Sequence, residues 1–107
     1  MKNKKQEDRR KYYDEIFKSV DETERKLVDR LIDEVVYYED EMDRLRELPW
    51  VAVNPRNPAI QKTTAAAKVY KGIAGQYMNA IRILLNVLRK VETSEQDELL
   101  KRLEEFT

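Results

Sequence analysis

Val28, Leu31, Val35, Tyr38, Met42 and Leu45 follow one another at alternating spacings of three and four. A strand repeats every two residues, so this spacing predicts a helix with a continuous apolar seam. A second run is longer: Thr63, Ala67, Tyr70, Ala74, Tyr77, Ile81, Leu84, Leu88 and Val91 keep the same rhythm. Two long helices are therefore expected, over 22–47 and 58–91. Leu27, Ile32 and Val36 widen the first stripe; Val69, Ile73, Ala80, Ile83 and Val87 widen the second. Each helix is expected to pack against more than one neighbour.

Pro49 stops the first long helix, and "LPWVAVNPRNP" reads as a connector over 48–57. Pro58 is expected in the first turn of the next helix, with Asn57 as its cap. Trp50 is expected to plug the end of the helix pair; an exposed Trp there suggests a docking anchor instead. A short helix is predicted over 12–20 from Tyr13, Ile16, Phe17 and Val20, and Asp21 with Glu24 resembles a capping box. Another is predicted over 95–106 from Leu99, Leu100, Leu103 and Phe106, capped by Thr93 or Ser94. The expected fold is all-α: an antiparallel hairpin of two long helices with a short helix at each end, oligomerising through the hairpin. With 107 residues it forms one helical domain, 12–107, preceded by a basic flexible arm, 1–11.

Stripes wider than one seam leave apolar surface over, which points to an interface. The candidates are Leu31, Val35, Tyr38, Met42 and Leu45 on the first helix, and Tyr70, Tyr77, Ile81, Leu84 and Leu88 on the second. Gly72 and Gly75, the only glycines, join them as places where helix backbones approach closely. The alternative is that the terminal helices fold back over the stripes and close a four-helix bundle.

No histidine or cysteine is present, which removes the commonest general base and thiolate metal ligands. Asp40 with Asp43, and Glu34 with Tyr38, share helix faces, but among 21 acidic residues such pairs arise as ordinary solvated surface. No catalytic residue, cofactor or metal is expected. No apolar run reaches the ~20 residues that cross a bilayer, and no signal-peptide core is visible, so a cytoplasmic location without membrane contact is expected.

Lys plus Arg equals Asp plus Glu at 21 each, so net charge argues for no partner. Phosphate binding depends on clustered cations rather than net charge. Lys2, Lys4, Lys5, Arg9, Arg10 and Lys11 cluster in the arm, and Arg56 and Lys62 flank the connector; these are the candidate DNA contacts.

"ERKLVDRLIDEVVYYEDEMDRLRE" and "NPAIQKTTAAAKVYKGIAGQYMNAIRILLNVL" together resemble the small subunit of tailed-phage terminases. The match lies in pattern and order over roughly residues 24–88. The resemblance implies a non-catalytic, ring-like homo-oligomer in the cytoplasm of an infected bacterial host. Such a ring binds double-stranded viral DNA and regulates the large ATPase/nuclease subunit during packaging. The hairpin would carry assembly; the arm and the surroundings of Arg56 would carry DNA. A separate helix-turn-helix domain is missing, which leaves the mode of DNA recognition open. The competing reading is a helical-hairpin coiled-coil regulator that never binds DNA.

Overall fold

The computed structural model describes residues 4–89 and 93–106, the side chains of 93–96 excepted. The chain is mostly helical. In order it forms α1 (Lys4–Ile16), α2 (Glu22–Arg46), β1 (Val51–Val53), β2 (Gln61–Thr63), α3 (Ala65–Leu88) and α4 (Thr93–Phe106). Lys2 and Val91 lie outside the described residues.

α2 spans 25 residues and ends at Arg46, ahead of Pro49, as the proline requires. Asp21 occupies its N-cap, but the side chain makes no capping bond; only the backbone joins, Glu24 N–H donating to Asp21 C=O at 3.1 Å. Acidic Glu22 and Glu24 in the first turn, with Arg44 and Arg46 in the last, complement the helix dipole.

α3 begins later than expected. Residues 58–64 are not helical, and neither Pro58 nor Asn57 starts the helix. Instead Val51–Val53 pairs antiparallel with Gln61–Thr63, in the register Val51 to Thr63 and Val53 to Gln61. The turn between them is built by asparagines. Asn54 Oδ1 accepts from Arg56 N–H at 2.8 Å and Asn57 Oδ1 from Ala59 N–H at 3.2 Å. These local side-chain bonds offer the backbone an alternative to helix, and Pro55 and Pro58 fix φ beside them. The helix starts where Thr64 accepts from Ala67 N–H at 3.2 Å. The all-α class fits broadly, and this two-stranded ribbon stands where the connector and the start of α3 were expected.

The N-terminal segment corrects another. Residues 4–11 are no loose arm but the first two turns of α1, and the helix ends at Ile16 rather than Val20. Its Lys, Gln, Glu and Arg residues are good helix formers. α4 starts at Thr93, and its cap falls among the side chains outside the description.

α2 and α3 pack along each other. Arg46 reaches Tyr70 and Glu39 reaches Tyr77, so position falls along α2 as it rises along α3. α1 lies on α2, and α4 lies on α3 and α1. The core holds Tyr13, Ile16 and Phe17 from α1 and its end, Val28, Ile32, Val35 and Met42 from α2, Tyr77, Ile81, Leu84 and Leu88 from α3, and Leu99 and Phe106 from α4. Each such side chain contributes about 1.5–3 kcal/mol on burial. The molecule is long and thin, 59 × 29 × 20 Å, with a radius of gyration of 17.1 Å. A compact chain of this length has about 13 Å.

The seam expected to face other subunits is filled within one chain. Leu31, Val35, Met42, Leu45, Tyr77, Ile81, Leu84 and Leu88 are all buried here, and Tyr38 and Tyr70 are half-buried. α1 and α4 cover the stripes with their own apolar Tyr13, Ile16, Leu99 and Phe106. Gly72 and Gly75 are exposed instead, and a Cβ added at either meets nothing within 4 Å. Close helix packing inside the chain is therefore not what those glycines serve.

Candidate functional site

Two charged arrangements stand out, one inside and one outside. The inner one is centred on Glu39 of α2, whose side chain is fully buried. Its carboxylate accepts from Tyr77 Oη at 2.9 Å, from Tyr13 Oη, and from Arg102 Nη2 at 2.7 Å and Nε at 3.3 Å. Arg9 Nε stands 3.5 Å away. All four helices thus send a polar group to one point, which is how a buried carboxylate escapes its desolvation cost.

Burial, then the Glu39 charge, pushes the Tyr13 and Tyr77 hydroxyls far above the ordinary tyrosine range. Burial works against the charge on Arg102, but the hydrogen bond and attraction to Glu39 outweigh it and raise its pKa. The Arg102 guanidinium also lies 4.7 Å from the Tyr12 ring centre and 5.2 Å from that of Phe106. Tyr13, Tyr77 and Arg102 are each hydrogen-bonded to Glu39, so the arrangement pins the four helices together.

The pin also consumes cations expected to face DNA. Arg9 is buried, bridging Asp40 and Asp43 beside Glu39. Arg10 pairs with Asp14, Asp29 and Asp33, and Lys5 with Asp43 at 2.8 Å. Burial raises the Asp43 pKa, but hydrogen bonds from Lys5 and Arg9 outweigh it, so its carboxyl titrates below the ordinary aspartate value. Arg9 and Arg10 are thus structural residues, which corrects their place among the DNA candidates. Lys4 and Lys11 stay exposed on α1, and Arg56 and Lys62 on the ribbon. Lys2 lies outside the described residues.

The outer arrangement rests on a long gap between acidic residues. Between Glu47 and Glu92 there is no Asp or Glu, while Arg56, Lys62, Lys68, Lys71, Arg82, Arg89 and Lys90 all fall there. The chain as a whole is neutral, so the remaining segments carry a matching excess of carboxylates. Folding keeps the two apart. α3 buries Tyr77, Ala80, Ile81, Leu84 and Leu88 and turns its opposite face outward. That face carries Lys68, Gly72, Gly75, Asn79, Arg82 and Asn86, recurring at spacings of three and four, with Lys71, Gln76 and the exposed apolar Val69 and Ile83 beside them. Among the described residues no carboxylate stands within ion-pairing distance of Lys68, Lys71, Arg82 or Arg89. The absence of acids over so long a stretch was the signal for these cations.

The ribbon sits at the α3 N-terminus and extends the same unbalanced charge through Arg56 and Lys62. Trp50 fastens it: the indole N–H donates to Leu45 C=O at 3.0 Å, and the ring packs on Tyr70 at 4.6 Å. Thr64 Oγ1 donates to Pro49 C=O at 2.7 Å on the other side. Trp50 therefore closes the end of the helix pair while remaining 40% exposed. Val51, Val53 and Ile60 stand half-exposed on the ribbon, and Leu27 and Tyr37 on the outer face of α2.

Among the described residues no group of three or more His, Cys, Asp or Glu is arranged to hold a metal ion, and no helix is long and apolar enough to cross a membrane. No protein-family model, no curated protein and no solved structure matches this chain.

Proposed function

We propose that this chain is a non-catalytic adaptor of the terminase-small-subunit kind, which binds double-stranded DNA and assembles with copies of itself. The carrying observation is the acid-free cationic surface of α3 and the ribbon, whose lysines and arginines make no ion pair among the described residues. Free clustered cations release counterions from DNA when they meet phosphates, and this makes binding strong at low salt and weak at high salt. The DNA contacts are then Lys68, Lys71, Arg82 and Arg89, with Arg56 and Lys62, rather than the N-terminal arginines.

In this reading α2 and α3 form the helical hairpin of the subunit, and copies associate in a ring through surface left outside the core. Leu27 and Tyr37 on α2, Val51, Val53 and Ile60 on the ribbon, and Val69 and Ile83 on α3 are among the exposed apolar positions for such contacts. The ring would multiply the cationic face and present bound DNA to a large ATPase/nuclease subunit. The burial of Arg9 and Arg10 in ion pairs favours the competing reading, a helical interaction protein that leaves DNA alone.

Two measurements separate them. Light scattering should return a mass well above the 12.8 kDa of one chain. Duplex binding should fall steeply with salt and be lost when Lys68, Lys71 and Arg82 are changed to Gln, while changing Lys4 and Lys11 has a smaller effect. A monomer without salt-dependent DNA binding, and without effect on a packaging ATPase, rules the adaptor out.

A further inference from the structure

The outward face of α3 has its charges at the ends and none in the middle. Lys71 and Arg82 are eleven positions apart, about 16 Å along the axis. Between them lie Gly72, Gly75, Gln76 and Asn79, all exposed and all uncharged. The major groove of B-form DNA is ~12 Å wide with phosphates on both rims, and it admits an α-helix. Side-chain amides are the groups that pair with adenine edges there. Glycines leave the middle of the helix slim, so its backbone can sit deep between the rims.

We infer that α3 enters the major groove of duplex DNA, its end cations on the phosphates of either strand and Gln76 and Asn79 on base edges. This rests on the DNA-binding reading above and adds where the helix sits and which residues read sequence. Two competing nucleic acids fit less well. Single strands are bound by stacking successive bases on exposed aromatic rings, and α3 offers no such row: Tyr77 is buried and the half-buried Tyr70 lies against Trp50, which is itself 40% exposed on the ribbon. Double-stranded RNA has a major groove too deep and narrow for side chains to read.

The test uses the full chain and a randomised duplex library, from which bound sequences are selected at fixed salt. The selected duplex should bind about tenfold more tightly than a scrambled one, in the range of a single bidentate amide–base contact. Q76A/N79A should abolish that preference while keeping the salt dependence of non-specific binding. Gly75→Leu should weaken the selected duplex, while Gly75→Ala, whose Cβ meets nothing within 4 Å, should keep thermal stability. Methylation of guanine N7, on the major-groove edge, should interfere with binding. Absence of binding to any duplex at low salt overturns both this inference and the DNA-binding reading. Binding without sequence preference, a preference that survives Q76A/N79A, or equal affinity for duplex RNA overturns the groove inference alone.

Discussion

Arg102 Nη2 of α4 lies 2.7 Å from Oε1 of the fully buried Glu39 of α2, a contact between residues 63 positions apart. It ties the last helix to the long pair, as Arg9 and Tyr13 tie the first. Removing one partner of a buried ion pair leaves the other charge without compensation, at about 3–5 kcal/mol. Glu39→Gln should lose stability in that range, and hydrogen exchange should show α4 and α1 opening before α2 and α3. Apolar replacement of both partners of the pair avoids stranded charge. Changing Glu39 and Arg102 together to Met, with Arg9 left on Asp40 and Asp43, should therefore recover much of the loss in urea unfolding. A double variant less stable than Glu39→Gln shows that geometry here outweighs desolvation.

Arg9 supplies a sharper contrast between structural and surface cations. It bridges Asp40 and Asp43 beside Glu39, whereas Lys68 and Lys71 pair with no carboxylate among the described residues. Arg9→Gln should cost roughly 3 kcal/mol in unfolding free energy, the low end for a broken buried pair. At temperatures where the variant stays folded, its affinity for duplex DNA should equal the parent's. The substitutions of Lys68 and Lys71 should behave the opposite way, with stability within about 0.5 kcal/mol of the parent and a flatter salt dependence of DNA binding.

The two long helices were legible from their three-four rhythm because burial of a continuous stripe dominates their energetics. Tyr13, Phe17, Leu99 and Phe106 were likewise legible as apolar positions, but what their helices would cover was not. An apolar stripe announces that it will be buried and not by what; here α1 and α4 bury it within the chain, where another subunit served equally well on pattern alone. The ribbon escaped notice because Val51–Val53 and Gln61–Thr63 are too short for a period to register, and their pairing depends on a turn set by Asn54 and Asn57. The arm misled for an electrostatic reason. Arg9 and Arg10 look free until the carboxylates of α2, some twenty to thirty positions on, are folded against them. The cationic face of α3, by contrast, was written in the sequence as an absence of acids.

Alkaline pH should unfold the protein early. Burial and the Glu39 charge raise the Tyr13 and Tyr77 pKa values, so the folded state holds protons that the unfolded state releases near pH 10. Their contribution is complete below that pH and lost as pH rises above it. Asp43 acts at the other end. Its folded pKa is lowered, so its contribution is present above the unfolded value of about 3.9 and lost as pH falls below it. The urea midpoint should be flat near neutrality, fall above about pH 10, and be restored in part at high pH by Tyr77→Phe relative to its own neutral value. Tyrosinate absorbance near pH 11 should report fewer than the six tyrosines of the chain until it unfolds. Six tyrosinates in a folded chain at that pH contradict the buried cluster.

Gly72 and Gly75 give the clearest conflict between stability and use. Both sit inside α3, neither has positive φ, and a Cβ at either position meets open space. Nothing among the described residues needs a glycine there, and each costs about 0.5–1 kcal/mol relative to alanine through the freedom of the unfolded backbone. Gly72→Ala and Gly75→Ala should each raise stability by that amount, with helix content unchanged by circular dichroism. The double variant should be close to additive, within about 0.5 kcal/mol, since the two Cβ atoms add no shared strain. Bulk at these positions should then act only on what approaches from outside. A more stable Gly72→Leu/Gly75→Leu protein with weakened DNA binding is the expected result. A variant that is more stable and binds DNA as the parent does removes the glycines from the groove and returns them to ordinary surface.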